Sequence, residues 1–236
     1  MTTGKSLSLA LLGALLASPV AAQTDITRTA ELGALFTSGN TDEQSLNFGA
    51  EIDVDQANWD YRFSIDGLYT SSEGRVKAQK AIGIARADYQ ISEISYFQTR
   101  ASHEDDRFSG FASQSDLTFS YGRDMLSNNA NMDLSLVGGI GVRWTRFNQG
   151  GDSDEPILRF AGEYDWTISE SASFSQDLSV EAGSDSDIYR SESSIETAIL
   201  DNLSLRFSIN IKHQTEVPLG KDNTDSETAI TFVMNF

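Results

Sequence analysis

The sequence predicts an all-β fold: a transmembrane antiparallel up-and-down β-barrel of about 12 strands, entered after a cleaved leader. Three observations predict it. Apolar and polar residues alternate with a period of two in one segment after another; many of these segments run to about ten residues or more; and the chain ends on "SETAITFVMNF", in which Ile230, Phe232, Met234 and Phe236 share one face. Period two is the repeat of a strand with unlike faces. Strands of a soluble sandwich are usually about 5 to 6 residues, whereas a tilted strand needs about 9 to 11 to cross hydrocarbon. In lipid every backbone N–H and C=O must be paired, and only closure removes the edge strands. The last strand must therefore pair with the first.

Residues 1–22 read as a secretory signal peptide, with Lys5 as the cationic start, "LSLALLGALLA" as the apolar stretch and "SPVAAQ" as a small-residue cleavage site, cut after Ala22. The run from Leu7 to Ala17 is too short to span a bilayer, which takes about 20 apolar residues as a helix. Residues 23–236 form one barrel domain. Strands are predicted at 30–37, 44–54, 59–70, 77–89, 93–103, 112–124, 132–145, 157–168, 172–182, 189–200, 203–215 and 226–236. In 44–54, Leu46, Phe48, Ala50, Ile52 and Val54 oppose Asn47, Glu51 and Asp53; in 203–215, Leu203, Leu205, Phe207, Ile209 and Ile211 oppose Ser204, Arg206, Ser208, Asn210 and Lys212. Alternation is blurred in 77–89 and 93–103, where no inward face can be assigned.

The connections are expected to alternate in length, long at "SGNTDE", "SSEGRVK", "HEDDRFSG", "NQGGDSDEP", "GSDSDI" and "TEVPLGKDNTD", and mostly short between them. That places both chain ends on the short-turn side. Pro156 and Pro218 are expected in long loops, where no ladder hydrogen bond is lost. Two aromatic belts are expected. Trp59, Tyr61, Tyr89, Tyr96, Tyr121, Tyr164, Trp166 and Phe236 lie near short turns, and Phe36, Tyr69, Phe111, Trp144 and Phe147 near long loops.

Charge and composition exclude several classes. The chain carries 17 Lys and Arg against 35 Asp and Glu, a formal charge of −18, and loss of Lys5 with the leader makes the remainder more acidic still. Nucleic acid is not an expected partner, because phosphate binding needs clustered cations. There is no cysteine, so disulfides, thiolate metal sites and Cys nucleophiles are excluded.

The polar faces supply the candidate site. Arg62, Asp66, Asp133, Arg143, Arg159, Glu163, Asp177, Glu181, Arg206 and Glu227 are predicted to line the lumen. The arginines can brace the wall by pairing with carboxylates, or the excess of carboxylates can make a narrow cation-preferring pore. Both readings stand at this point. Asp152, Asp154 and Glu155, or Asp185 and Asp187, are acidic loop groups that lack a calcium-loop spacing and read as solvated surface, so no metal or cofactor is predicted. His103, placed in a loop beside Glu104, and His213 are the only histidines; with no G-x-S-x-G and no metal-type pair, catalysis is not predicted. "VGGIGV" at 137–142 is followed by no helix and reads as small residues that relax strand curvature or lumen packing, not as a dinucleotide loop.

"SGNTDEQSLN", "HEDDRFSGF", "SQDLSVEAGSDSDIYRSES" and the ending "DNTDSETAITFVMNF" together resemble the YdiY-like, salt-induced outer-membrane protein family, over about Glu31 to Phe236. The resemblance implies a Gram-negative outer-membrane barrel, a contact with outer-membrane lipid and lipopolysaccharide, and insertion by the barrel assembly machinery, which reads a C-terminal aromatic such as Phe236. It implies a tie to salt or osmotic stress, and no catalytic residues. A monomer is expected. A cation-preferring channel, a closed structural or adhesive barrel and an outer-leaflet lipid hydrolase are the functional alternatives.

Overall fold

Alternating residues give strands with two unlike faces, and the way those faces are used decides the architecture. The computed structural model describes residues 24–37, 43–107 and 109–236; the predicted leader and the side chain of Phe36 lie outside them. Twelve strands follow one another: β1 (Thr24–Thr37), β2 (Glu43–Gln56), β3 (Trp59–Ser72), β4 (Arg75–Ser92), β5 (Ser95–Asp106), β6 (Phe111–Asp124), β7 (Met132–Phe147), β8 (Asp152–Ser169), β9 (Ala172–Gly183), β10 (Ile188–Leu200), β11 (Leu203–Gln214) and β12 (Thr224–Asn235). Each pairs antiparallel with the next, and β1 pairs with β12 to close the barrel. The expected fold and strand count are found.

Burial is inverted relative to a soluble protein. Ile140, Phe119 and Ile230 are 65%, 55% and 62% exposed, while Arg143, Glu181 and Glu104 are 2%, 1% and 4% exposed. Large apolar side chains on the outside of a closed sheet, with charged ones inside, are what a lipid surround stabilises and water does not. The inward faces of β4 and β5 follow from register, because directly paired residues share a face. Arg62 pairs with Arg86 and Arg86 with Arg100, so all three point inward. Outward positions of β4 hold Ala81, Gly83, Ala85 and Ala87, while Ile82 and Ile84 share the inward face with Arg86. Small residues outside and isoleucines inside erase the alternation there.

The connections differ from expectation. Several expected long loops are short, because the strands run on past their apolar centres: β4 and β8 each reach 18 residues. The expected loop "SGNTDE" falls mostly on 38–42, outside the described residues; the other segments left between strands are 73–74, 107–110, 148–151, 184–187 and 215–223 at one end, and 57–58, 93–94, 125–131, 170–171 and 201–202 at the other. Strand ends that are polar on both faces read as loops although their backbones stay in the ladder. Glu73 and Gly74 have φ of 51° and 72°, the paired left-handed conformation that lets a two-residue hairpin turn match strand twist.

Pro156 is also a correction. It lies inside β8, opposite Val142 of β7, one residue before the ladder to β9 begins at Ile157. With a neighbour on one side only, it occupies the equivalent of an edge position, which tolerates a missing N–H. Pro218 lies in the 215–223 connection.

Aromatic rings gather outside near the short-turn end. Trp59 stacks on Tyr61 at 5.8 Å and meets Tyr89 at 5.0 Å, and Phe97 meets Phe119 and Tyr121. Two expected belt members do not belong. Tyr96 points inward and its hydroxyl meets Ser135 Oγ at 2.5 Å, while Phe111 is buried against Phe147 at 5.6 Å.

The closing seam is the shortest ladder, running from Thr29 opposite Asn235 to Leu32 opposite Phe232. Two further backbone bonds extend it: Arg28 N–H donates to Phe236 O at 3.2 Å, and Phe236 N–H donates to Arg28 O at 3.0 Å. The final residue thus participates in closure.

Candidate functional site

Among the described residues, charged side chains from many strands converge in the lumen. Toward the short-turn end, Arg62 of β3 reaches Asp53 at 2.6 Å and Glu51 at 3.6 Å on β2. Arg86 of β4 pairs with Asp88 at 3.1 Å and with Glu163 of β8 at 2.7 Å, so this contact leaves the wall and crosses the interior. Arg206 of β11 pairs with Glu196 at 2.7 Å and with Glu31 of β1. These pairs hold neighbouring and distant strands in register with charge-assisted bonds.

Toward the loop end the packing is tighter. Lys212 of β11 donates to Glu104 of β5 at 2.8 Å, and Arg190 of β10 lies 3.6 Å from the same carboxylate. In the closed strand order β5 and β11 are on opposite walls, so Glu104 bridges the barrel. Arg190 also pairs with Glu181 of β9 at 2.9 Å, and Arg143 of β7 pairs with Glu181 at 3.4 Å and Glu155 of β8 at 3.0 Å. Arg143 further donates to the carbonyls of Ser186 and Glu181 at 2.9 and 3.2 Å, tying the 184–187 connection to the network. Arg100 holds Asp116 at 2.6 Å. The result is a plug of buried ion pairs across one end of the lumen.

Between the plug and the short-turn end the character changes. Asp66, Asp177 and Glu192 face inward yet are exposed, and among the described residues none of the three makes an ion pair. Register places Glu163 opposite Asp177 and Asp177 opposite Glu192, so their carboxylates share one stretch of wall. This part is a water-accessible, acid-rich chamber. Asp133 is exposed at the short-turn rim opposite Asp165, and Glu227 lies half-buried on the inner face of β12 opposite Asn210.

All ten candidate lumen residues thus lie on inward faces, but they do not form one cluster. Arg143, Arg159 and Glu181 meet in the plug; Arg62 and Glu163 meet in the brace; Asp66 and Asp177 line the chamber. Glu104, Arg86, Arg100 and Arg190 join them without having been predicted. Register with Arg62 would have found Arg86 and Arg100, and Glu104 was hidden by the assignment of "HEDD" to a loop.

Other candidates resolve as structural groups. Glu155 is held by Arg143 and accepts from Asp185 N–H at 2.7 Å, so it is no loop ligand for a cation. Asp185 accepts from Ser153 Oγ and Asp187 from Gly183 N–H. Among the described residues no three acidic or histidine groups form a metal cluster. His103 lies inside β5 rather than in a loop and faces outward, with Nδ1 2.8 Å from Ser115 Oγ; His213 stands likewise 2.8 Å from Thr224 Oγ1. Each is a cross-strand hydrogen bond in direct register. A hydrolase would add an orienting acid or amide on the second ring nitrogen.

Comparison with known proteins agrees with the fold. The chain is 26% identical over 216 residues to the uncharacterized protein YdiY of Escherichia coli strain K12, covering 90% of this chain and 84% of that one. Among solved structures, the NanC porin superposes with a TM-score of 0.55 at 8% identity, covering 89% of this chain and 98% of that one. The translocator domain of the autotransporter NalP from Neisseria meningitidis superposes with a TM-score of 0.50 at 9% identity, covering 90% and 87%. At such identity the likeness is one of fold: both are barrels of the outer-membrane type. A family described as protein of unknown function, DUF481, matches residues 30–236, and this chain belongs to it.

Proposed function

We propose that the chain is exported, loses residues 1–22 and works as a monomeric barrel of the Gram-negative outer membrane, with Phe236 read by the assembly machinery and the outer face in contact with lipid and lipopolysaccharide. Its lumen is shut toward the loop end by the ion-pair plug and acts as a low-conductance, cation-preferring path when the plug loosens. The observation that carries this reading is Glu104, which joins opposite walls through Lys212 at 2.8 Å and Arg190 at 3.6 Å. The chamber behind it, lined by Asp66, Asp177 and Glu192, favours cations by its unpaired carboxylates. The salt or osmotic role implied by the family resemblance would act through Arg190, at 26% exposure the most accessible cation of the plug. A permanently closed structural barrel is the second reading, favoured by the same plug.

Planar-bilayer recording of the folded 23–236 barrel tests this. The wild type gives rare, small steps; Glu104→Gln raises the open fraction, and a salt gradient gives a reversal potential of the cation-selective sign. Large steady steps in the wild type overturn the plug, anion selectivity overturns the chamber's role, and silence in both proteins selects the closed barrel.

A further inference from the structure

The connection between β11 and β12, residues 215–223, does not stand clear of the barrel but folds across its mouth. In a closed ring of twelve strands, this connection and the one between β5 and β6 leave from opposite walls. They nevertheless touch: a Cβ at Gly110 would stand 3.0 Å from Pro218 Cγ and 3.0 Å from Lys221 Cγ. Gly110 is buried with a φ of 94°, and its carbonyl accepts from Asn148 N–H at 3.2 Å, so the seat is held by the next connection along. Glycine is needed there twice, for a backbone that L side chains rarely adopt and for the side chains lying on it. Pro218 and Lys221 are brought down together by a turn in which Lys221 N–H donates to Pro218 O at 3.1 Å and Gly220 supplies the φ of 84° at the third position.

The base of the segment is fixed differently. Gln214 N–H donates to Asn223 O at 2.8 Å and Asn223 Nδ2 donates back to Gln214 O at 2.7 Å, pinching the two ends together. Thr215 N–H donates to Asp187 O at 3.0 Å, Asp187 N–H to Thr215 Oγ1 at 2.9 Å and Glu216 N–H to Ser186 Oγ at 3.2 Å, which ties the base to the 184–187 connection. Ser186 also offers its carbonyl to Arg143 at 2.9 Å, so the base shares an anchorage with the plug. The seat is a packing contact, a proline ring laid on a glycine. One ring's contacts are undone more easily than a set of paired hydrogen bonds, so the tip is the end that lets go. Beneath it, the space between Phe111, Lys212, Gln214, Val217 and Asp225 is about 10 Å³, room for one water at most. Gln214 is 5% exposed there, and Lys212 is the plug cation that holds Glu104.

We propose that residues 215–223 form a hinged strap over the loop-end mouth: the tip sits on Gly110 and lifts off, the base stays on the 184–187 connection, and lifting opens Lys212 and Glu104 to solutes from that side. The strap regulates the same closure as the ion-pair plug and rests on reading those pairs as a closure. It does not require that the lumen conduct. Because Ser186 bonds Glu216 on one side and Arg143 on the other, the strap hinges on the plug's own anchorage.

The test uses the full folded barrel in detergent and the rate at which a small charged thiol reagent labels a single cysteine, the native chain having none. Gln214→Cys reports the crevice under the strap; Asn210→Cys, two residues further down β11 on the same inward face and opposite Glu192, reports the chamber. With the strap seated, 214 is labelled slowly and 210 readily. Pro218→Gly removes the ring from the seat, and Gly110→Ala puts a methyl where the ring lies. Each is expected to speed labelling at 214 by about tenfold, equivalent to about 1.4 kcal/mol of closure, and to leave 210 unchanged. Leu219→Ala, at a side chain 98% exposed beside the seat, is expected to change neither rate. Should Gly110→Ala fail to fold, Pro218→Gly, which keeps the glycine seat, carries the test. Labelling at 214 as fast as at 210 in the parent barrel, an unchanged rate in folded Pro218→Gly, or equal acceleration by Leu219→Ala overturns the strap. Failure of the plug reading shows elsewhere, as large steady steps in bilayer recording.

Discussion

Neutralising Glu104 tests the plug energetically, apart from any transport. The carboxylate accepts from Lys212 at 2.8 Å and faces Arg190 at 3.6 Å, and its own side chain is 5% exposed. Breaking a buried pair by removing one partner costs about 3–5 kcal/mol, because the other charge is left desolvated and unmatched. Arg190 keeps Glu181 at 2.9 Å, but Lys212 is left with the neutral oxygen of Gln114 at 3.2 Å. One cation is stranded rather than two, so Glu104→Gln is expected to destabilise the barrel by about 3 kcal/mol. Lys212→Met in the same chain removes the stranded charge and is expected to recover about 1–2 kcal/mol relative to additivity. Equilibrium denaturant unfolding in lipid vesicles, followed by Trp fluorescence, measures both. A loss under about 0.5 kcal/mol, the size of an ordinary surface substitution, or an additive cycle, refutes a bridging Glu104.

The other predictions concern the wall. Ile140, at the centre of β7 and 65% exposed, faces mid-membrane, so Ile140→Arg is expected to cost about 2–4 kcal/mol by the same unfolding assay. A Cβ on Gly139 would strike the Phe119 carbonyl and come within 2.5 Å of Ser120 Cα, both backbone, whereas one on Gly138 would meet only the Phe160 ring at 3.3 Å; Gly139→Ala is expected to cost about 1–3 kcal/mol and Gly138→Ala well under that. Phe236→Ala keeps both backbone bonds to Arg28, so stability in vitro should change by less than about 1 kcal/mol while the amount of folded, heat-modifiable protein in the outer membrane falls sharply. Equal loss in both measurements would mean that Phe236 acts in packing and not as an assembly signal.

The parts legible in the sequence are those where backbone period and membrane chemistry act together. β2, β3 and β11 alternate so regularly that their apolar faces, and with them Arg62, Asp66 and Arg206, could be oriented from residue order alone. β4 could not, because its outer face is alanine and glycine and its inner face carries Ile82 and Ile84. Loops were overestimated wherever both faces of a strand end were polar, as at Asp152–Glu155, since pairing there depends on the neighbouring strand. Arg143 and Glu181 could be placed inside but not joined: their contact depends on which strands end up two apart around a closed ring. Glu104 and Lys212 are 108 positions apart, and nothing local marks them as partners. Glycines 139 and 141 were legible as small residues, while the Ser120 and Thr118 side chains lying over them were not.

The most direct measurement of the central claim uses the absence of native cysteine to place single labels. Environment-sensitive probes at Leu117→Cys and Ile209→Cys, on outward faces, are compared with probes at Ser208→Cys and Asn210→Cys, on the inward face of β11. In vesicles containing brominated lipid, the account predicts strong quenching at 117 and 209 and little at 208 and 210, where a water-soluble quencher acts instead. Lipid quenching at 208 and 210 with water access at 117 and 209, or a freely soluble chain that quenches with lipid nowhere, would contradict it.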